Sequence, residues 1–391
     1  MLARLSTNPK PRPSRTEILS LIHMPRTDRL QNIAQARQAL LHGHSSGALA
    51  PSVAPWLQRS WQRCQSWGLE PQRAVDFEAV SSAHMRRVQE ASAPLVQAAR
   101  PVLAELVRAM GNIGYFAILT NAEGVVVDVH GPVDRSDRRA DVIARVGVDL
   151  SERAVGTTAI GAALTELQPV WLHRGEHFFD ATSVYSCAGA PVFGPDGLCA
   201  GMLDLTGVEV AERPALKHLV RRSARSIENS WLLGSPHALT LRLSWPGNQP
   251  GDDGDGLLTL DADGRITGAN PTARQMLGLE VGAAEAHAGD VFAMPWENLF
   301  DAARAERGAS EVPLWSGLRL NTRVVRPGSI QGSMPAGATP LPRSNGKALR
   351  EVQTELIRQA VVQARGNVAE AARALGISRA TVYRKLGTPK G

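Results

Sequence analysis

Arg379, Ala380, Thr381, Tyr383, Arg384 and Lys385 fall on one side of a short segment whose other side carries Val382 and Leu386. This pattern predicts a helix that follows a sharp turn at Gly376, is capped by Ser378, and is fixed in angle by a hydrophobic staple between Ile377 and Val382. Such a surface suits nucleic-acid recognition. An arginine in the first helical turn can bond O6 and N7 of one guanine through its planar fork, so Arg379 is assigned to base reading. Arg384 and Lys385, one turn further on, suit phosphate oxygens, which set register rather than sequence. The plainer alternative is a small bundle with a solvated basic face; cap, staple and turn in combination argue against it.

The charge of the chain points the same way. Of its 43 Lys/Arg and 37 Asp/Glu, ten and three lie from Arg343 onward, which leaves 33 against 34 in everything before. The net +6 is therefore a property of one end, where a polyanion would be drawn with strongly salt-dependent affinity. An interfacial membrane helix is not indicated, since no long apolar face bearing tryptophan accompanies the charge.

A second set of residues could line a small-molecule site. Trp171, His177, Tyr185 and Cys187 lie in or beside strand-like runs, and Trp and Tyr combine apolar walls with a polar tip. Each could equally be core, because pockets and cores draw on the same residue types. Cys187 has no Lys or Arg beside it to depress its pKa and reads as a buried thiol. His130, His173 and His177 do not have a standard ligand spacing, so no metal is expected. Asp261-Ala262-Asp263-Gly264 opens like a calcium loop but lacks the later acidic ligands, and a hairpin turn accounts for it. Neither a nucleophile with its base nor a cofactor loop is apparent, so no catalytic residues, no cofactor and no enzymatic activity are expected.

The elements that must position these residues follow from periodicity. Residues 1–18 lack apolar periodicity and read as a disordered arm; 19–89 form a helical region, whose first patterned stretch, to Gly68, ends in Trp56, Leu57, Trp61 and Trp67. Ser81 to Met110 is helical. Tyr115–Leu119 and Val125–Val129 read as a hairpin, Val170–His173, Cys187–Phe193 and Leu198–Leu205 as strands, and Arg213–Leu233 as a helix, which gives an α+β sensory module over 90–235. A second module spans 236–327, with a hairpin Leu257–Leu260 and Arg265–Thr267, a helix from Asn270 to Leu279, and further strands within Val312–Val325. Residues 328–346, rich in Gly, Pro and Ser, read as a flexible linker. In 347–391, Leu349, Val352, Leu356, Ile357, Ala360, Val361 and Ala364 stripe one helix, Gly366 ends it, and Asn367 caps a second lined by Val368, Ala371, Ala372 and Leu375. Three scattered cysteines and no apolar run near twenty residues lead to the expectation of a reducing, cytoplasmic setting.

Several stretches together resemble the bacterial acetoin-catabolism-regulator-like family, whose members join a GAF-type sensor to a Fis-type DNA-binding end. They are Ser60-Trp61-Gln62-Arg63-Cys64 with Gly68-Leu69-Glu70-Pro71, Ser151-Glu152 with Gly156-Thr157-Thr158 through Leu164, Gly175-Glu176-His177-Phe178, Ser186-Cys187 through Val192, and Gly201 through Gly207. Residues 256–279 look like the start of a PAS domain, and Gly366 through Leu386 like the Fis-type helix-turn-helix. The fold class the resemblance implies is α+β multidomain: a GAF-like sensor and a PAS-like module, each an antiparallel sheet with helices, followed by an all-α Fis-type helix-turn-helix. It also implies that Asn367 and Thr381 contact phosphates, that Arg379 reads a base, and that the chain acts as a homodimer on double-stranded DNA. A small-molecule effector and contact with RNA polymerase belong to the same picture. Full-length members carry an AAA+ ATPase between sensor and DNA-binding end. This sequence has no GxxxxGK[ST] loop: Gly346-Lys347 has Leu341 where the first glycine belongs and Ala348 where Ser or Thr should hold magnesium. The function expected is ligand-responsive, sequence-specific regulation of transcription without its own ATPase. The alternative is an interaction protein that hetero-oligomerises with a full-length sigma-54-type activator and inhibits it. Where the family has Trp-Thr-Cys, this chain has Tyr185-Ser186-Cys187, which leaves the family's ligand unassigned.

Overall fold

A computed structural model describes residues 26–41, 53–111, 113–282, 286–327 and residue 368. The chain divides into two compact units, Met1–Pro327 and Gly328–Gly391. The expected disordered arm, linker and DNA-contacting residues, Asn367 and Ser378 to Lys385, lie outside the described residues.

The first module is built on a fully antiparallel sheet of β1 (Tyr115–Asn121), β2 (Val126–His130), β3 (Val170–His173), β4 (Tyr185–Phe193) and β5 (Cys199–Val208), in the order β2-β1-β5-β4-β3. Successive strand residues face opposite ways, so the near-continuous burial of β1, β4 and β5 means that both faces are covered. On one face, Tyr115, Ala117 and Leu119 meet two long helices. The first, α3 (Ser82–Met110), is capped by the Ser81 side chain and buries Val88, Ser92, Leu95, Ala99, Leu103, Leu106 and Met110, a stripe at steps of three and four; the second is α7 (Leu216–Gly234). The other face carries Phe116 and Ile118 together with α6 (Ala159–Glu166), the short α4 (Arg138–Ile143) and α5 (Glu152–Val155), and two N-terminal helices, α1 (Arg26–Leu41) and α2 (Pro55–Ser66). The single helix α3 runs through the boundary expected at 89/90.

The second module is also a fully antiparallel five-stranded sheet: β6 (Leu239–Ser244), β7 (Gly256–Leu260), β8 (Ile266–Ala269), β9 (Ser310–Pro313) and β10 (Arg319–Val325), in the order β8-β7-β6-β10-β9. Counted within each module, the first sheet runs 2-1-5-4-3 and the second 3-2-1-5-4, so the strand that opens the second module lies at its centre. Three short helices, α8 (Pro271–Leu277), α9 (Ala288–Val291) and α10 (Glu297–Arg304), complete it over a core that includes Leu241, Leu258, Phe292 and Leu320.

The two hairpins use the same turn chemistry. Asn121 Oδ1 accepts from the amides of Glu123 and Val125, and Asp261 Oδ1 from those of Asp263 and Arg265, with Gly124 and Gly264 at φ +88° and +82°. Asp261 is thus occupied with turn amides, as the hairpin reading expects. The modules meet at the β4–β5 turn. Pro195 O accepts from Arg274 Nη2 at 2.8 Å and Ala269 N at 3.0 Å, while Asp196 O accepts from Gly282 N at 3.1 Å. Among the described residues, no helix is long and apolar enough to cross a membrane.

Candidate ligand cavity and the frame that holds it

The residues that anchor α2 are those of the Ser60–Cys64 segment. Arg63 forms a bidentate pair with Glu152, Nε to Oε2 at 2.7 Å and Nη2 to Oε1 at 3.0 Å, and its Nη1 reaches Glu166 Oε1 at 2.8 Å. The Ser60 hydroxyl lies between Glu152 Oε1 and Thr157 Oγ1, the latter at 2.7 Å; Trp61 Nε1 donates to the Glu176 carbonyl at 2.9 Å; Cys64 Sγ lies 3.5 Å from Thr157 Oγ1. Burial pushes the Cys64 thiol up to about 11. Arg59 adds a second guanidinium to Glu166 and holds its carboxyl below the usual range. The segment is a docking motif: every polar group it buries finds a partner on the first module. Two glycines allow the close packing around Glu152 and Phe179 on which this frame rests. A Cβ at Gly161 would stand 2.6 Å from the Glu152 side chain, and Gly156 combines φ +66° with the Phe179 ring 2.9 Å from where a Cβ would lie.

Behind this frame, between the sheet and α6, lies a cavity of about 30 Å³ as measured by the centre of a water-sized sphere. Its walls are largely apolar, from Phe77, Ile118, Ile143, Leu150, Val155, Ala159 and Ile160; its polar members are Thr158, His177, Thr182, Tyr185, Cys187, Asp204 and Thr206. A space this size takes a water or a ligand of a few heavy atoms without rearrangement. Tyr185 Oη donates to Arg139 O at 2.9 Å, Cys187 Sγ and Thr206 Oγ1 are 3.3 Å apart, and Thr206 Oγ1 donates to Asp204 Oδ2. His177 Nδ1 lies 2.9 Å from Arg174 O, which can only accept, so Nδ1 carries the proton and Nε2 of the neutral ring is an acceptor. His177 Nε2 and Asp204 Oδ1 are both buried with no partner. Unpaired buried polar atoms are costly, and two around one small cavity mark it as a place for a polar guest.

Burial sets the protonation of this site. It pushes Asp204 up to about 7 and His177 down to about 4, so near neutrality the ring is uncharged and the carboxyl holds its proton far more readily than an exposed one. Burial likewise lifts the Cys187 thiol well above its ordinary value, which favours the buried-thiol reading.

Of the residues singled out in the sequence, His177, Tyr185 and Cys187 line this cavity. Trp171 does not: on β3 it faces the opposite way from Val170 and Leu172, stacks on His173 with ring centroids 5.9 Å apart, and lies under the Arg29 guanidinium. His130 instead pairs with Asp128 at 2.9 Å, and among the described residues no group of three or more His, Cys, Asp or Glu is placed to hold a metal. Asp204 and Thr206 were not singled out. The available signal was an aspartate between Leu203 and Leu205 in a strand buried on both faces, where a carboxyl cannot reach water.

Three family models match the chain: "MimR, N-terminal domain" over residues 31–229, just over half of the 391, "PAS domain" over 254–311, and "Bacterial regulatory protein, Fis family" over 348–387. The sequence is 33% identical over 264 residues to the "Acetoin catabolism regulatory protein" of Cupriavidus necator, covering 64% of this chain and 38% of that one. It is 31% identical over 198 residues to the "Propane 2-monooxygenase operon transcriptional activator MimR" of Mycolicibacterium goodii, covering 50% and 32%. The chain thus spans about a third of the length of these curated relatives. A chain of the solved "E.coli DhaR(N)-DhaL complex" overlaps with a TM-score of 0.43 at 13% identity, over 70% of this chain and 100% of that one.

Replacing Arg63 with Ala strands the buried Glu152 carboxylate and is expected to cost about 3 kcal/mol of unfolding free energy in urea melts. A loss within about 0.5 kcal/mol would show that the pair does not anchor α2.

A second expectation concerns pH. Asp204 and Glu228, both raised to about 7 by burial, contribute stability that is complete below the ordinary carboxylate range and lost as pH rises through about 7. His177, lowered, contributes stability that is present above its ordinary 6.5 and lost as pH falls through about 4. The two effects oppose each other between about pH 4 and 6.5. Asp204→Asn should therefore gain stability relative to the parent between pH 5 and pH 7; urea-melt stability curves that run parallel for the two proteins contradict the assignment.

Proposed function

The chain belongs to the family of the MimR N-terminal domain and carries a PAS domain and a Fis-type helix-turn-helix, and from that premise we propose that it is a ligand-responsive transcriptional regulator. The observation that carries the ligand half of this reading is the pair of partnerless atoms, His177 Nε2 and Asp204 Oδ1, around one buried cavity. His177 Nε2 asks for a donor. Asp204 Oδ1 accepts when ionised and donates when protonated. A small neutral molecule carrying a hydroxyl, with a second hydroxyl or a carbonyl beside it, satisfies both and leaves its carbon skeleton to the apolar walls. Names of relatives that refer to acetoin catabolism and a propane 2-monooxygenase operon are consistent with an effector of that size.

The DNA half rests on the basic end of the chain and its match to the Fis family. Arg379 is assigned to a base, Asn367, Thr381, Arg384 and Lys385 to phosphates, and Ser378, Ala380 and Tyr383 belong to the same DNA-binding surface, Ser378 as the cap of its helix. About twenty residues separate the second module from this end and contain no phosphate loop, so control by occupancy of the operator or by contact with RNA polymerase suits this sequence better than ATP-driven remodelling. The same spacing favours a second reading, in which the chain pairs with an ATPase-bearing relative. Operator binding by the purified protein alone separates the two readings.

Binding sites mapped genome-wide supply the operator, and operator affinity is then measured with and without a panel of three- to five-carbon hydroxylated metabolites, acetoin among them. At least one compound should shift the affinity, and the Asp204→Asn, His177→Ala double variant should lose the shift while keeping the ligand-free affinity. If no compound shifts operator affinity and none binds in calorimetry, the sensing role is wrong.

On the DNA side, Arg379→Ala should cost about 1 to 3 kcal/mol and relax preference at one base pair, whereas Lys385→Ala should weaken all sequences alike and reduce the salt slope by about 1. Equal effects from the two would contradict their roles.

A further inference from the structure

One wall of the cavity is a stretch of chain that faces solvent on its other side. Residues 174–184 turn His177 and Thr182 inward and Arg174, Asp180 and Ala181 outward. Arg174 sits in this layer at φ +51°, a left-handed conformation that a side chain other than glycine adopts only when its surroundings impose it.

Helix α1 lies across this layer and is joined to it mainly by charge. Arg29 Nη2 pairs with Glu176 Oε1 at 2.5 Å and its Nη1 with Glu212 Oε1 at 2.7 Å, with the guanidinium 4.6 Å from the centre of the Trp171 ring. Arg37 pairs with Asp180 at 2.9 Å and donates to the carbonyl of Phe178. The apolar seam is thin. Of the α1 side chains described, Ile33 and Ala36 alone are buried, and a groove lined by Leu30, Ala34 and Gln38 on one side and Arg174 and Gly175 on the other runs between helix and wall. Glu176 ties the layer to everything around it: its second oxygen accepts from His173 N at 2.7 Å, its carbonyl accepts from Trp61 Nε1, and the next residue is His177. An element held by two arginines and little apolar area can leave without unfolding what it covers.

We propose that α1 is a releasable latch: Arg29 and Arg37 hold the 174–184 wall shut, and the cavity becomes reachable when they let go. The inference rests on reading the cavity as a ligand site, but its test needs neither effector nor operator, so either idea can fail without the other. Cys187, whose thiol lines the cavity, is a built-in reporter, with Cys64 on the buried face of α2 as an internal reference. The full chain and an Arg29→Gln, Arg37→Gln double variant are exposed at pH 8 to methyl methanethiosulfonate, a small neutral reagent whose thiomethyl group forms a mixed disulfide with a reachable thiolate as methanesulfinate leaves, and each cysteine is followed by peptide mass. Cys187 should be modified at least tenfold faster in the variant, with the Cys64 rate unchanged. Equal Cys187 rates overturn the proposal; so does a matching rise at Cys64, which would mean general loosening. If the double variant does not fold, amide exchange of residues 177–182 in Arg37→Gln alone decides, and protection equal to that of the parent protein rejects the latch.

Discussion

Glu152 is the point on which the cavity side of the first module is assembled. Its carboxylate is almost wholly buried and takes a bidentate arginine from α2 and the Ser60 hydroxyl. A buried carboxylate is tolerable only when its lone pairs are filled, so its partners are not interchangeable: lysine in place of Arg63 would supply one point of charge where a fork is needed. The same pair brings Trp61 over Glu176 and Cys64 against Thr157, and so fixes α2, the N-terminus of α6 and the approach to the cavity in one stroke. Residues 60–64, 152 and 156–161, distant in sequence, are a single unit in space.

The cavity shows the opposite economy. There, polar atoms are left unfilled in an otherwise apolar space, with a neutral imidazole and a carboxyl of raised pKa facing the same small volume. The unfilled valences of His177, in the 174–184 layer, and of Asp204, on β5, are a standing cost of folding that a suitable guest would relieve, at a gain in stability for the segments that carry them. Strand β5 pairs with β4, and the two are joined by the Pro195 turn that docks on the second module. The two strands that flank the cavity are thus hydrogen-bonded, through their turn, to Ala269 and Arg274 of the second module.

Much of this was legible in the residues. The α3 stripe, the strands of the first sheet and both hairpin turns follow from period and turn chemistry, because burial and backbone hydrogen bonding act locally there. The cavity residues His177, Tyr185 and Cys187 were visible as types but not as a set; Trp171 looked equivalent and was not, since its one-residue offset from Leu172 on β3 sends it to the other face. Asp204 was hidden in a run of apolar letters. β6 was overlooked although Leu239, Leu241 and Leu243 alternate, because it follows a long helix directly and pairs only with strands later in the chain.

The position of β6 bears on how the second module can be handled. The PAS match begins at residue 254, past this strand, yet β6 separates β7 from β10 at the middle of the sheet. A fragment cut to the boundaries of that match, 254–311, would lack β6 and β10 and keep only β7 and β8 of the sheet, leaving β7 with a raw, apolar edge, the kind that seeks another chain. Because β6 is reached straight from α7, whose face covers the first sheet, the second module inherits its central strand from the thread that finishes the first. Any dissection of this protein should cut ahead of Leu239.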